Sequence, residues 1–268
     1  MNAVPAMRID STTPLLTCRG LSVRFGGLLA LNELDIDVNR GEVLGLIGPN
    51  GSGKTTFFNV ISGVYSASSG TIHLDGKDIT RAHTQSLSAH GLARTFQRSR
   101  LCLSLSVFDN IVLGAQGRLN SGLWHNLIHR KALAAEVGGM AAEARDLLHV
   151  FNPSLVDKLF APAISLGMID RRRVEICRAL IGRPKLVLLD ESSAGMTHEE
   201  TDLLMDEILS VRRSLGDLTI VIVEHEMGLI ERVTDRCVVL NYGKKICEGR
   251  FRDVAADPIV REAYLGHS

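Results

Sequence analysis

No window of about 18 consecutive apolar residues occurs in this 268-residue chain, which excludes a helix that spans a membrane. Net charge is missing too. Lys and Arg total 30, Asp and Glu total 30, and no long basic run appears, so the clustered positive surface that nucleic acid requires is not expected. The five cysteines (Cys18, Cys102, Cys177, Cys237 and Cys247) form no C-x-x-C pair and show no metal-ligand spacing with histidine, and read as small buried hydrophobes in a reducing compartment. The opening MNAVPAMRIDSTT has no apolar stretch behind a basic patch, so residues 1–13 read as a loosely ordered lead rather than a secretory signal. Internal repeats, low-complexity tracts and sustained heptads are absent as well. These absences point to a soluble protein, or one held at a membrane only through a partner. With 45% apolar residues the chain can bury the core of one large α/β domain.

The feature that stands out is Gly48-Pro49-Asn50-Gly51-Ser52-Gly53-Lys54-Thr55-Thr56, a complete G-x-x-x-x-G-K-[ST] loop. It follows the apolar run Val43-Leu44-Gly45-Leu46-Ile47 and precedes Phe57-Phe58-Asn59-Val60-Ile61, so the order is strand, glycine-rich turn, helix. In that context successive backbone N–H groups and a helix N-terminus converge on one anion site. Lys54 would add charge-assisted contacts to the outer phosphates, each on the order of 1.5–3 kcal/mol. The Thr55 hydroxyl would hold Mg²⁺. A nucleoside triphosphate is the expected ligand.

Around this loop the sequence divides by texture. Residues 15–38 are strand-like, with alternation through Leu34, Ile36 and Val38, and together with Thr71-Ile72-His73-Leu74 they predict a small antiparallel sheet. The stretch 87–180 is mainly helical, ending at Gly182-Arg183-Pro184. Strand signals return in Lys185-Leu186-Val187-Leu188-Leu189 and Thr219-Ile220-Val221-Ile222-Val223, continuous apolar runs of the kind buried on both faces of a parallel sheet. The expected fold is therefore α/β. It is a P-loop NTPase (RecA-like) core, about 14–86 and 181–268, with a small antiparallel β subdomain and an inserted helical subdomain at about 87–180.

Two strand ends and two further residues carry chemistry. Leu188-Leu189-Asp190-Glu191 places two carboxylates at the edge where ligands of open α/β sheets bind, one to hold the metal shell and the next to polarise the attacking water. Val223-Glu224-His225 ends a second strand in an imidazole able to reach a γ-phosphate and orient that water. Gln97, in Arg94-Thr95-Phe96-Gln97, has an amide able to contact metal or water; an ordinary surface glutamine is the competing reading. Phe25 offers a flat face for a base, with core packing as its rival.

These pieces in this order resemble the nucleotide-binding subunit of an ABC transporter, over nearly all of residues 15–265. The shared motifs are the Phe25 aromatic loop, Walker A at 48–56, the Gln97 loop, Walker B at 186–190 with Glu191, and the His225 switch. RFGGLLAL at 24–31, RTFQ at 94–97 and EAYLG at 262–266 look like the ATPase subunits of branched-chain amino-acid importers. The resemblance implies an ATP-hydrolysing subunit, peripheral on the cytoplasmic face of the membrane, that powers uptake of a branched-chain amino acid or similar small polar solute. It implies ATP and Mg²⁺ as cofactors, with Thr55, Gln97 and Asp190 toward the metal and Glu191, His225 and Gln97 catalytic. It also implies transmembrane permease subunits docking near 98–113, a second ATPase subunit, and indirectly a solute-binding protein.

The chain departs from the family at the signature loop. Counting back from Glu175, the glycine and glutamine of an LSGGQ-type loop fall on Ile169 and Asp170, a β-branched residue and a carboxylate that a phosphate repels. A two-residue shift makes Ser165 and Gly167 the functional pair instead. The proline usual after the Walker B glutamate is Ser192, and residues 193–196 would be the D-loop. A weak signature beside an intact phosphate loop favours pairing with a paralogue over pairing with itself. It also leaves open a non-catalytic, ATP-binding regulatory subunit. A soluble ABC ATPase of translation or DNA maintenance fits less well, because the chain has one core and no coiled-coil arm.

Overall fold

The computed structural model describes residues 13–95, 101–115, 118, 130–216 and 218–265. Strands β1 (Leu16–Phe25) and β2 (Leu28–Val38) form a hairpin whose alternation buries Leu31, Leu34, Ile36 and Val38. With β4 (Ser69–Leu74) and β5 (Lys77–Asp78) they make a four-stranded sheet of order β2-β1-β4-β5, antiparallel throughout.

Between them the chain enters the second sheet. Strand β3 (Val43–Ile47) is buried at every residue and leads into helix α1 (Lys54–Ile61). Burial is equally complete in β7 (Leu186–Asp190) and β8 (Thr219–Val223). Strands covered on both faces need no polar alternation, and their β-branched, Leu-rich runs obey that rule. The sheet order is β10-β9-β3-β8-β7-β6, where β6 is Leu92–Arg94, β9 is Arg236–Asn241 and β10 is Lys244–Gly249. All neighbours are parallel except the β9–β10 edge hairpin.

The two faces of this sheet feed two cores. Leu44, Leu46, Leu188, Val221 and Val238 pack with Phe57, Phe58 and Ile61 of α1 and with the inner face of the antiparallel sheet. Val43, Ile47, Val187, Leu189, Ile220 and Val239 face a helical layer. That layer comprises α3 (Val107–Val112), α4 (Arg130–Phe151), α5 (Met168–Leu180), α6 (His198–Ser214) and α7 (Met227–Val233), the short α2 (Thr84–Leu87) lying apart from it near β6. Two terminal helices, α8 (Phe251–Ala256) and α9 (Pro258–Leu265), close on β10. Helix α6 starts at a capping box, with Thr197 Oγ1 accepting from the Glu200 N–H and the Glu200 carboxylate accepting from the Thr197 N–H.

One boundary differs from the sequence expectation. Residues 92–94, inside the stretch assigned to the helical insertion, pair in parallel with 186–188 and so belong to the core sheet. Three residues are too few to show a period, and only the pairing with β7 makes them a strand.

Candidate functional site

The site grows from the turn between β3 and α1. A Cβ on Gly48, whose φ is 146°, would stand 2.1 Å from the Leu240 carbonyl oxygen, and one on Gly53, at φ 108°, would stand 2.9 Å from the Ala30 oxygen. Both positions need glycine because neighbouring main chain fills the space a side chain would take. Within the turn, Ser52 donates its N–H to the Pro49 carbonyl, and the β9–β10 turn braces it through the Gly243 N–H to the Ser52 oxygen. The first N–H groups of α1 then open toward the loop with no intrahelical partner. No acidic side chain stands in that first turn to compete for them.

Lys54 is buried and curls over the loop, its Nζ donating to the carbonyls of Gly48 (2.6 Å) and Pro49 (3.0 Å). Burial lowers its pKa, and the nearby Glu191 charge opposes that shift. Gly48 also receives the C-terminal helix, since its backbone hydrogen-bonds to the Tyr264 phenol. Burial nevertheless raises the pKa of that phenol.

Asp190 ends β7 with a side chain that is 2% exposed. Its Oδ2 accepts from Arg94 Nη2 at 2.7 Å, while Oδ1 has no hydrogen-bond partner among the described residues. Burial raises its pKa against the pull of Arg94. Arg94, on β6, also donates to Asn59 Oδ1 (2.7 Å) and Ser62 Oγ (2.8 Å) at the end of α1 and lies 5.6 Å from the centroid of the Phe58 ring. One guanidinium thus ties β6 and α1 to the carboxylate on β7. Ser52 Oγ is likewise buried without a partner among the described residues.

Glu191 follows in the left-handed region at φ 45°, held by its N–H to the Val223 carbonyl, and its Oε1 lies 2.8 Å from His225 Nε2. Strand pairing explains the contact, since Asp190 lies opposite Val223 and the residues beyond each strand end converge. The structure thereby brings together Lys54, Asp190, Glu191 and His225, which the sequence placed up to 171 positions apart. Phe25 is 43% exposed at the end of β1 and meets Tyr65 edge-on at 5.1 Å, so its ring stands outside the core.

Ser165 and Gly167 lie elsewhere, on the helical layer. Gly167 is the N-cap of α5, and Ser165, exposed, donates its hydroxyl to the Pro162 carbonyl. The Asp170 carboxylate turns to Arg173 (2.8 Å) and to Asn152 (3.3 Å), so its own helix and the segment just after α4 occupy it. Gln97 lies outside the described residues, as do 98–100 of the expected docking stretch. Sequence reasoning missed Arg94, Glu224, Tyr65 and Tyr264.

Residues 31–194 match the family model described as ABC transporter, and residues 244–268 match the one described as branched-chain amino acid ATP-binding cassette transporter. The chain is 34% identical over 255 residues to the high-affinity branched-chain amino acid transport ATP-binding protein LivG of Salmonella typhimurium, covering 95% of this chain and 99% of that one. BraF of Pseudomonas aeruginosa, which carries the same description, is 33% identical over the same shares. A solved nucleotide-free ATP-binding cassette from an ABC transporter superposes with a TM-score of 0.80 at 29% identity, covering 95% of this chain and all of that one. The ADP conformation of an ABC-transporter cassette gives 0.80 at 30%, covering 96% of this chain and all of that one. The chain belongs to the ABC transporter family of ATP-binding cassettes, within its branched-chain amino acid branch.

Proposed function

We propose that this chain is the ATP-hydrolysing subunit of a membrane importer for branched-chain amino acids or a similar small polar solute. It is an ATPase of the ABC family, and the observation that carries the mechanistic reading is the 2.8 Å contact between Glu191 and His225 beside the lysine-bearing loop. In this reading the amides of residues 48–56 and Lys54 cradle the phosphates, Phe25 stacks on the base, and Glu191 polarises the attacking water while His225 holds its orientation.

The residues suit Mg²⁺. A hard cation of this size takes a few protein oxygens and keeps phosphates and waters for the rest. Asp190 Oδ1 is a buried carboxylate oxygen with no partner among the described residues, and Thr55 supplies a hydroxyl in the exposed first turn of α1. Among the described residues no cluster of three or more His, Cys, Asp or Glu offers a rival site. Bound there, the ion would neutralise charge on the phosphoryl oxygens. Gln97 is assigned beside it by family resemblance.

Ser165 and Gly167, at the N-terminus of α5, are the pair this chain presents to the nucleotide of a second ATPase subunit, a paralogue in preference to a second copy. The permease docks near residues 98–113, whose last residue, Leu113, borders a cleft of about 640 Å³ together with Ser62, Leu87, Leu92, Arg94 and Arg178. No described helix is long and apolar enough to cross a membrane, which fits a subunit held peripherally on the cytoplasmic face by that permease, with a solute-binding protein acting on the far side. The test is Glu191→Gln. It removes the base and keeps the shape, so turnover falls at least about 100-fold while ATP affinity holds. Turnover surviving in that variant would refute the reading.

A further inference from the structure

Next to His225 in the chain is a buried carboxylate for which the mechanism above has no use. Successive residues of an extended segment point in opposite directions, so as His225 turns to Glu191, Glu224 turns inward and is only 3% exposed. Its Oε1 accepts from Ser192 Oγ (3.1 Å) and from the Ser193 N–H (3.1 Å), and its Oε2 accepts from Ser193 Oγ (2.6 Å). Burial raises the carboxyl's pKa, with the serine hydrogen bonds opposing that shift. Ser192 is fully buried and occupies the position where a proline, lacking a hydroxyl, would have made one of these bonds impossible.

The turn that Glu224 grips leads across the molecule. Ala194 donates its N–H to the Glu191 carbonyl and Met196 donates to that of Ser193, and Met196 packs against the helical core. A Cβ on Gly195 would sit 3.7 Å from the sulfur of Met168, the first residue of α5. Hydrogen bonds therefore join the histidine-bearing strand end, through Glu224, to the turn at 192–196, and Met196 of that turn packs into the helical core.

We propose that Glu224 is a positioning residue for hydrolysis. Through Ser192 and Ser193 it locks the 192–196 turn to the end of β8, fixing Glu191 and His225 in register with each other. The inference rests on the reading of Glu191 and His225 as the hydrolytic pair. It adds that their geometry is set by a buried carboxylate one residue away, using hydroxyls this chain carries at 192 and 193.

The experiment compares Glu224→Gln, Ser193→Ala, the double variant and Ser193→Thr in the full chain assembled with its transporter partners, measuring kcat and KM for MgATP together with nucleotide affinity. A hydrogen bond to a buried charged group is worth about tenfold or more, so kcat falls about tenfold in Glu224→Gln and about as much in Ser193→Ala. KM and affinity stay within about twofold, because no group of the phosphate loop is touched. The double variant is no slower than the worse single one, since both cut the same link. Ser193→Thr, which keeps the hydroxyl that Ser193→Ala removes, leaves kcat near its original value. Should Glu224→Gln not fold, the Ser193 pair alone decides. Ser193→Ala with unchanged kcat, losses that multiply, or a loss borne by KM would each overturn the proposal. If Glu191→Gln retains turnover, the underlying reading fails instead, and the two failures are told apart.

Discussion

Replacing Arg94 by Met tests whether the ion pair to Asp190 is the brace of the site. Both side chains are almost wholly buried, 7% and 2% exposed, so the Asp190 charge loses its counter-ion without gaining water. Removing one partner of such a pair costs on the order of 3–5 kcal/mol. The guanidinium's hydrogen bonds to Asn59 and Ser62 go with it, but Asn59 is only part-buried and the buried Ser62 hydroxyl keeps its bond to the Phe58 carbonyl (2.6 Å), so they add little to that cost. For a domain of this size each kcal/mol lowers the melting temperature by about 2–4 °C, so calorimetry should register a fall of about 6–20 °C. A second handle is pH. Burial already holds the Asp190 pKa above that of an unfolded aspartate, so the native state binds the proton more tightly, and loss of Arg94 raises that pKa further. The variant's deficit is therefore full well above the raised pKa and shrinks as pH falls through it. Arg94→Met combined with Asp190→Asn should recover most of the lost stability, because no charge is then left buried. A single variant that melts with the parent, or a double variant that melts below the single one, would refute the argument.

Lys54→Ala should weaken MgATP binding by about 10- to 150-fold in isothermal titration, the value of one charge-assisted contact to phosphate, and an unchanged Kd would remove the lysine from the site. The cysteines sort by burial. Cys102 is exposed, whereas Cys18, Cys177 and Cys237 are buried and burial raises the pKa of each of those three thiols. A brief iodoacetamide pulse at neutral pH, read by mass spectrometry, should mark Cys102 and spare those three until the chain is unfolded.

What the sequence disclosed followed the range of the interaction that defines each part. The phosphate loop was legible because its chemistry is written in nine consecutive residues, and the buried strands because an unbroken apolar run needs cover on both sides. Asp190, Glu191 and His225 could be read because each stands at or just past the end of such a run. Arg94 and Glu224 could not, since their meaning lies in partners 96 and 31 positions away that only the order of strands makes neighbours. The register expected for the signature loop depends on where α5 begins. That start is set by the N-cap at Gly167 and by Asp170 turning to Arg173 and Asn152, which no count of spacings contains.

The grip of Lys54 on its own loop has a thermodynamic corollary. Two main-chain oxygens already hold the ammonium in place, so the long side chain's rotamer entropy is surrendered during folding and not at the moment of capture. On the reading of Lys54 as a phosphate ligand, an incoming phosphate would exchange with these carbonyls, so its affinity would report the difference between two good acceptors.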